Sequence, residues 1–169
     1  MKSIIMIRHA EASSSAPVAT DFDRPLTETG IQDAQTMGAM LLNKNNNIDL
    51  ILSSAANRTL STARIISEII GYKGNIIDKQ TMYNASKKEI LDIVSKLNNT
   101  INSICIVGHN PTFHKLLESL TNQHITNFLP CTIAKINFDI QTWHHFTQNQ
   151  SQFKIIGTLE YLIMPKNNT

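Results

Sequence analysis

Two histidines close short apolar runs, and each has neighbours suited to phosphate chemistry. Ile4-Ile5-Met6-Ile7 leads into Arg8-His9-Ala10-Glu11-Ala12, and Ile104-Cys105-Ile106-Val107 leads into Gly108-His109-Asn110-Pro111. Imidazole is a competent nucleophile toward phosphorus, and guanidinium is the cation best shaped to hold a phosphoryl group. For His9 to attack, one ring nitrogen must be neutral while an acceptor, commonly a backbone carbonyl, holds the other N–H. Adjacent cations keep such a ring unprotonated. The bland alternative is a hydrogen-bonded framework histidine. His109 reads as a donor to a phosphoryl oxygen, with Gly108 permitting close backbone approach. Its bland alternative is a structural cap, with Asn110 as the N-cap. Ser53-Ser54-Ala55-Ala56-Asn57-Arg58 places Arg58 in the first turn of a helix, where an anion is favoured. Arg64, further along that helix, reads as part of a solvated face.

These residues need a scaffold that brings them together. Apolar runs alternate with helical periods, which predicts strands alternating with helices. After the first strand, residues 12–26 form an irregular stretch long enough to be an active-site loop. Thr27 is the expected N-cap of a helix with Ile31, Ala34, Gly38 and Leu41 at helical spacing. Asp49–Ser53 reads as a second strand, followed by a helix with Leu60, Ala63, Ile66 and Ile70 on one face and Gly71 as its stop. Asn75–Asp78 reads as a third strand and Ser103–Val107 as a fourth. Helices carry Ile90, Val94 and Leu97, and then Phe113, Leu116, Leu117 and Leu120 behind Pro111. Thr132-Ala134-Ile136-Phe138 and the run from Phe153 to Ile163 predict a terminal antiparallel hairpin of strands exposed on one face. The fold class is therefore α/β, a three-layer α/β/α sandwich around a mostly parallel sheet. In such a sheet every strand-to-helix loop leaves the same edge, so Arg8-His9, Arg58 and His109 are expected to meet there.

Composition narrows the alternatives. The chain has 169 residues, 41% hydrophobic and 17% charged, with a formal net charge of +2. That length suits one domain over residues 1–165, with a polar tail at 166–169. The charge is too small to argue for nucleic acid or an anionic membrane. No stretch approaches the roughly 20 apolar residues of a bilayer span. The first apolar run is too short for a signal peptide. Cys105 and Cys131 make no disulfide framework, and a reduced, cytoplasmic setting is expected. A metal site is not expected. His109 and His114 are five apart, off a shared helix face, and the adjacent His144 and His145 would point to opposite sides of a strand.

Arg8-His9-Ala10-Glu11-Ala12, Arg24-Pro25-Leu26-Thr27-Glu28-Thr29-Gly30, Ser53-Ser54…Arg58…Thr62-Ala63 and Val107-Gly108-His109-Asn110-Pro111 together resemble the histidine phosphatase superfamily. The short length, the Asp21-x-x-Arg24-Pro25-Leu26-Thr27 motif and the closing Gly157-Thr158-Leu159 make the chain most similar to the small SixA-type phosphohistidine phosphatases. The resemblance implies a phosphoglycerate-mutase-like fold and covalent transfer of phosphate to His9. Arg8, Arg58 and His109 would bind the phosphoryl group, and Arg24 would add a cation at the rim. It implies no cofactor and no metal, because protein cations neutralise the charge. The partner would be a phosphohistidine protein, either a phosphotransfer domain or a phosphocarrier, and a monomer is compatible.

One departure bears on the substrate. Many larger members carry an acid after the third strand, but here Thr81-Met82-Tyr83-Asn84-Ala85-Ser86 precedes the first carboxylate, Glu89. An alkoxide leaving group needs an acid, whereas a leaving imidazole brings its own proton. Glu11 or Asp23 could substitute as the acid. The alternatives are a phosphomonoesterase or mutase of the same superfamily acting on a small ester, and a phospho-binding module without turnover.

Overall fold

The structure is a computed structural model describing residues 1–148 and 155–166. Its elements are β1 (Lys2–Arg8), α1 (Glu28–Leu42), β2 (Leu50–Ser54), α2 (Asn57–Ile69), β3 (Ile76–Lys79), α3 (Lys87–Ser95), β4 (Ser103–Gly108), α4 (Thr112–Thr121), β5 (Ile133–Phe138), α5 (His145–Gln148) and β6 (Thr158–Ile163). Short 3-10 turns occupy Asp21–Asp23 and Gln80–Met82.

The six strands form one sheet in the order β3-β2-β4-β1-β5-β6. The first four are parallel; β5 runs antiparallel to β1, and β6 antiparallel to β5. Alternation along each strand divides the interior between the two faces. Ile4, Met6, Ile104 and Ile106 pack with Ile90, Val94, Phe113 and Leu117 of α3 and α4. Ile5, Ile7, Cys105 and Val107 pack with Ala34, Met37, Ala63 and Ile66 of α1 and α2. This is the expected α/β/α sandwich.

Local signals explain the helix limits. The Thr27 hydroxyl accepts from the Gly30 N–H at 2.9 Å and opens α1. Ser86 and Glu89 form a reciprocal capping box on α3. Gly71, with φ of +68°, lets the chain leave α2.

Four expectations need correction. Asn110 does not cap α4, because Pro111 takes the cap position while the Asn110 amide donates to the Phe128 carbonyl at 3.0 Å. The terminal pair is antiparallel as expected, yet β5 is not exposed on one face. Ala134, Ile136 and Phe138 are buried on one face, and on the other Ile133 is buried while Lys135 and Asn137 are half-buried. The last strand begins at Thr158 rather than Phe153. Residues 153 and 154, like most of the 166–169 tail, fall outside the described residues. His144 and His145 are not on a strand, since His145 opens α5.

Candidate active site

β1, β2 and β4 run in parallel and present their carboxyl ends together. The register pairs Arg8 with Gly108, so the residues that follow, His9 and His109, emerge side by side. Their ring centroids lie 5.3 Å apart. Arg58 enters from the first turn of α2, just beyond β2, and is buried.

The His9 ring is locked. Its Nδ1 lies 2.7 Å from the Ala10 carbonyl. A carbonyl only accepts, so Nδ1 carries the hydrogen and Nε2 bears the lone pair. Burial, opposed by this hydrogen bond and reinforced by Arg58, Arg8 and Arg24, lowers the His9 pKa to about 4. The ring is therefore a neutral base at ordinary pH.

His109 is neutral too, its pKa lowered to about 3 mainly by burial, with His9 and Arg58 adding to the effect. Its Nε2 is 2.8 Å from the Ser54 hydroxyl. Its Nδ1 is buried with no partner among the described residues, and so is Nε of Arg8. Buried nitrogens left unpaired are costly in a native interior and call for an explanation. Here they belong to neighbouring strand ends that flank the His9 ring.

The segment before β5 fixes the backbone of this corner. The Phe128 carbonyl accepts from Arg8 Nη1 at 2.8 Å. The Cys131 N–H is shared between the Arg8 and His9 carbonyls, each at 3.1 Å. Across the corner, the Thr62 hydroxyl accepts from the Ala10 N–H at 3.0 Å and donates to the Arg58 carbonyl at 2.7 Å. Gly108 gives close approach to a different group from the one expected: a Cβ there would overlap the Phe113 ring.

Asp21 is the hub of the rim. Its carboxylate accepts from Arg24 Nη1 at 2.9 Å, Arg58 Nη2 at 2.9 Å and the Tyr83 hydroxyl at 2.8 Å. Hydrogen bonds from Arg24, Tyr83 and Arg58 hold the carboxyl well below the usual range. The Tyr83 ring meets His109 edge-on at 5.5 Å, and the Arg58 guanidinium lies 5.9 Å from its centroid. Arg24 reaches the cluster through Asp21. Its Nε and Nη2 donate to the Ser13 and Ala12 carbonyls, which folds residues 12–26 back against the mouth. Arg64 is exposed on α2, as expected.

The suggested substitute acids are engaged locally. Glu11 accepts from Thr27 at 2.7 Å, Asp23 from Thr20 at 2.6 Å, and Glu89 caps α3. Sequence reasoning missed Asp21 and Tyr83 as site residues. Asp21 was visible in the Asp-x-x-Arg motif; Tyr83 stands where an acid was sought and not found. It also missed Ser54 as the partner of His109, although the Ser53-Ser54 pair was legible. Nothing in the sequence pointed to Phe128 or Cys131, whose contribution is backbone.

Comparison with known proteins bears on this geometry. The model of the histidine phosphatase superfamily (branch 1) matches residues 4–81. An uncharacterised chloroplastic protein of Arabidopsis thaliana is 28% identical over 149 residues, covering 83% of this chain and 68% of its own length. An uncharacterised protein of Mycobacterium tuberculosis is 27% identical over 106 residues, 63% of this chain. That match spans only 64% of the mycobacterial protein. Among solved structures, a candidate phosphohistidine phosphatase SixA from Agrobacterium tumefaciens superposes with a TM-score of 0.80 at 25% identity, covering 97% of this chain and 98% of that one.

Proposed function

We propose that the chain is a metal-independent phosphatase of phosphohistidine proteins within the histidine phosphatase superfamily, working through a phosphoenzyme on His9. The observation that carries this reading is the pairing of a locked, neutral His9 with unpartnered buried nitrogens on Arg8 and His109. A bound phosphoryl group supplies the acceptors those nitrogens lack.

In the first step Nε2 of His9 attacks phosphorus, the new P–N bond forms, and the bond to the substrate's imidazole breaks. Arg8 and Arg58 neutralise the equatorial oxygens, and His109 donates to one of them. These protein cations supply the charge that a metal would otherwise bring. Water then attacks the phosphohistidine of the enzyme and releases phosphate. His9, its Nδ1–H still held by Ala10, leaves as the neutral ring.

The substrate class rests on leaving-group chemistry. The turn after β3 carries Tyr83 and Asn84 in place of a carboxylate. The acids considered from sequence make local bonds instead. The SixA likeness over nearly the whole chain favours the same substrate. A phosphotransfer domain or a phosphocarrier is the partner we propose. No helix among the described residues is long and apolar enough to cross a membrane. A cytoplasmic setting belongs to the proposal.

The test is phosphate release, in excess chelator, from a phosphohistidine protein and from a phosphoserine peptide, by wild type and His9→Ala. Release from the phosphohistidine protein by wild type alone is the expected result. Equal release from both substrates would make the chain a broad phosphomonoesterase. Release from neither would leave a phospho-binding module.

A further inference from the structure

A superfamily phosphatase without an acid after β3 must still discriminate between leaving groups, and the rim contains a carboxylate suited to that task. A carboxylate offers about four lone-pair directions. Three on Asp21 are filled: one on Oδ1 by Arg24, and two on Oδ2 by Arg58 and Tyr83. One direction on Oδ1 remains, and 53% of the side chain is open to solvent. Three donors around one carboxylate also keep it ionised, so Asp21 accepts hydrogen bonds and does not give a proton.

In-line transfer puts the leaving atom opposite Nε2 of His9, on the outer side of the phosphoryl group. Asp21 stands at the rim of the site, tied to Arg58, which is placed to meet the phosphoryl oxygens, and to Tyr83, whose ring meets His109 edge-on. We propose that Asp21 is a specificity-determining residue that accepts the free N–H of the leaving imidazole through its open Oδ1 direction. The inference rests on the phosphohistidine reading of the site and assigns the element of that site which selects the substrate.

The electron count is simple. The substrate imidazole enters with phosphorus on one nitrogen and a proton on the other, so its ring is cationic. His9 forms its P–N bond. The old P–N pair returns to the substrate ring, and the proton stays where it was. The ring departs as neutral imidazole, hydrogen-bonded to Asp21 throughout, and needs no proton from the enzyme. A serine or sugar ester fares worse at the same place. Its oxygen gains negative charge beside an ionised carboxylate that has no proton to give it.

The test compares kcat/KM for a phosphohistidine-bearing phosphotransfer domain and for para-nitrophenyl phosphate, whose phenolate leaves without protonation. Wild type, Asp21→Asn and Asp21→Glu are measured, with inorganic tungstate binding as a check that the pocket survives. Loss of one charge-assisted hydrogen bond predicts that Asp21→Asn lowers phosphohistidine turnover about 10- to 100-fold more than aryl-ester turnover. Asp21→Glu recovers part of that ratio. Equal losses on both substrates would overturn the proposal and reduce Asp21 to a strut for Arg58. Loss of tungstate binding in Asp21→Asn together with an unchanged ratio in Asp21→Glu would overturn it as well. Failure of the wild type itself on the phosphohistidine domain, with aryl-ester turnover intact, would remove the underlying reading; it is recognisable because no variant is involved.

Discussion

His9 combines a locked tautomer with resistance to protonation, and the two have separate causes. The Ala10 carbonyl fixes which nitrogen is free, while burial and three arginines keep that nitrogen unprotonated. The same features carry a cost in acid. An unfolded histidine binds a proton near pH 6.5, whereas folded His9 and His109 resist until about 4 and about 3. Across that interval the unfolded chain holds more protons, so stability rises with pH and is lost on acidification. Asp21, charge-coupled to His109, is also shifted down, but from the lower carboxylate range. Its stabilising contribution persists until pH falls through the carboxylate range, near about 3.9. The window from about pH 6.5 to about 4.5 therefore isolates the histidines. The thermal midpoint should fall steadily across it, and His109→Asn should shrink that fall. A midpoint flat with pH in wild type would contradict two rings held neutral by the fold.

At the scale of elements, the site is made by the geometry at the ends of β1 and β4. Parallel pairing sets Arg8 against Gly108, and the two histidines follow at once. Gly108 is where strand, site and helix touch, since Phe113 of α4, 1% exposed, packs directly against its Cα. Gly108→Ala forces that ring aside in a closely packed layer, an overpacking cost of about 1–3 kcal/mol. Because His109 lies next in the chain, turnover should fall further than the loss of stability explains. Chemical denaturation and steady-state kinetics on the same variant separate the two effects. Unchanged turnover would mean that the ring yields without moving the start of α4. The loop of residues 12–26 gains its shape from Arg24, whose guanidinium gathers two carbonyls and Asp21 into a fixed lip.

At the scale of the molecule, the candidate site and a buried anchor occupy opposite edges of the sheet. Lys2, at the amino end of β1, is 2% exposed. Its ammonium donates to the Asn99 and Ile101 carbonyls and to Asn102 Oδ1, and lies 5.5 Å from the Trp143 ring centroid. It ties the start of β1 to the entry of β4 and to the segment that precedes α5. Lys2→Met keeps the length and apolar stem but leaves acceptors unpaired. A loss of about 1–3 kcal/mol in unfolding free energy is expected, with kcat/KM unchanged. Loss of activity in the folded variant would show that the two edges are coupled.

The sequence by itself determined the order of the elements and the sheet edge at which the proposed site residues meet. Strand alternation and helix caps are local properties, and the direction of parallel strands follows from the crossovers between them. Arg8, His9, Arg58 and His109 were legible for that reason: each stands at or just beyond a strand end. Only the tertiary structure decided the state and surroundings of those groups. Which nitrogen of His9 is free depends on how the chain turns at Ala10. The low pKa values depend on burial by segments distant in sequence. Asp21, Tyr83, Ser54, Phe128 and Cys131 act through contacts between residues 55 to 123 positions apart. The same holds for β5, whose alternating pattern suggested an exposed face. No periodicity shows what packs over its second face, where Ile133 joins the layer of α1 and α2, because packing between segments is not written in the spacing within one.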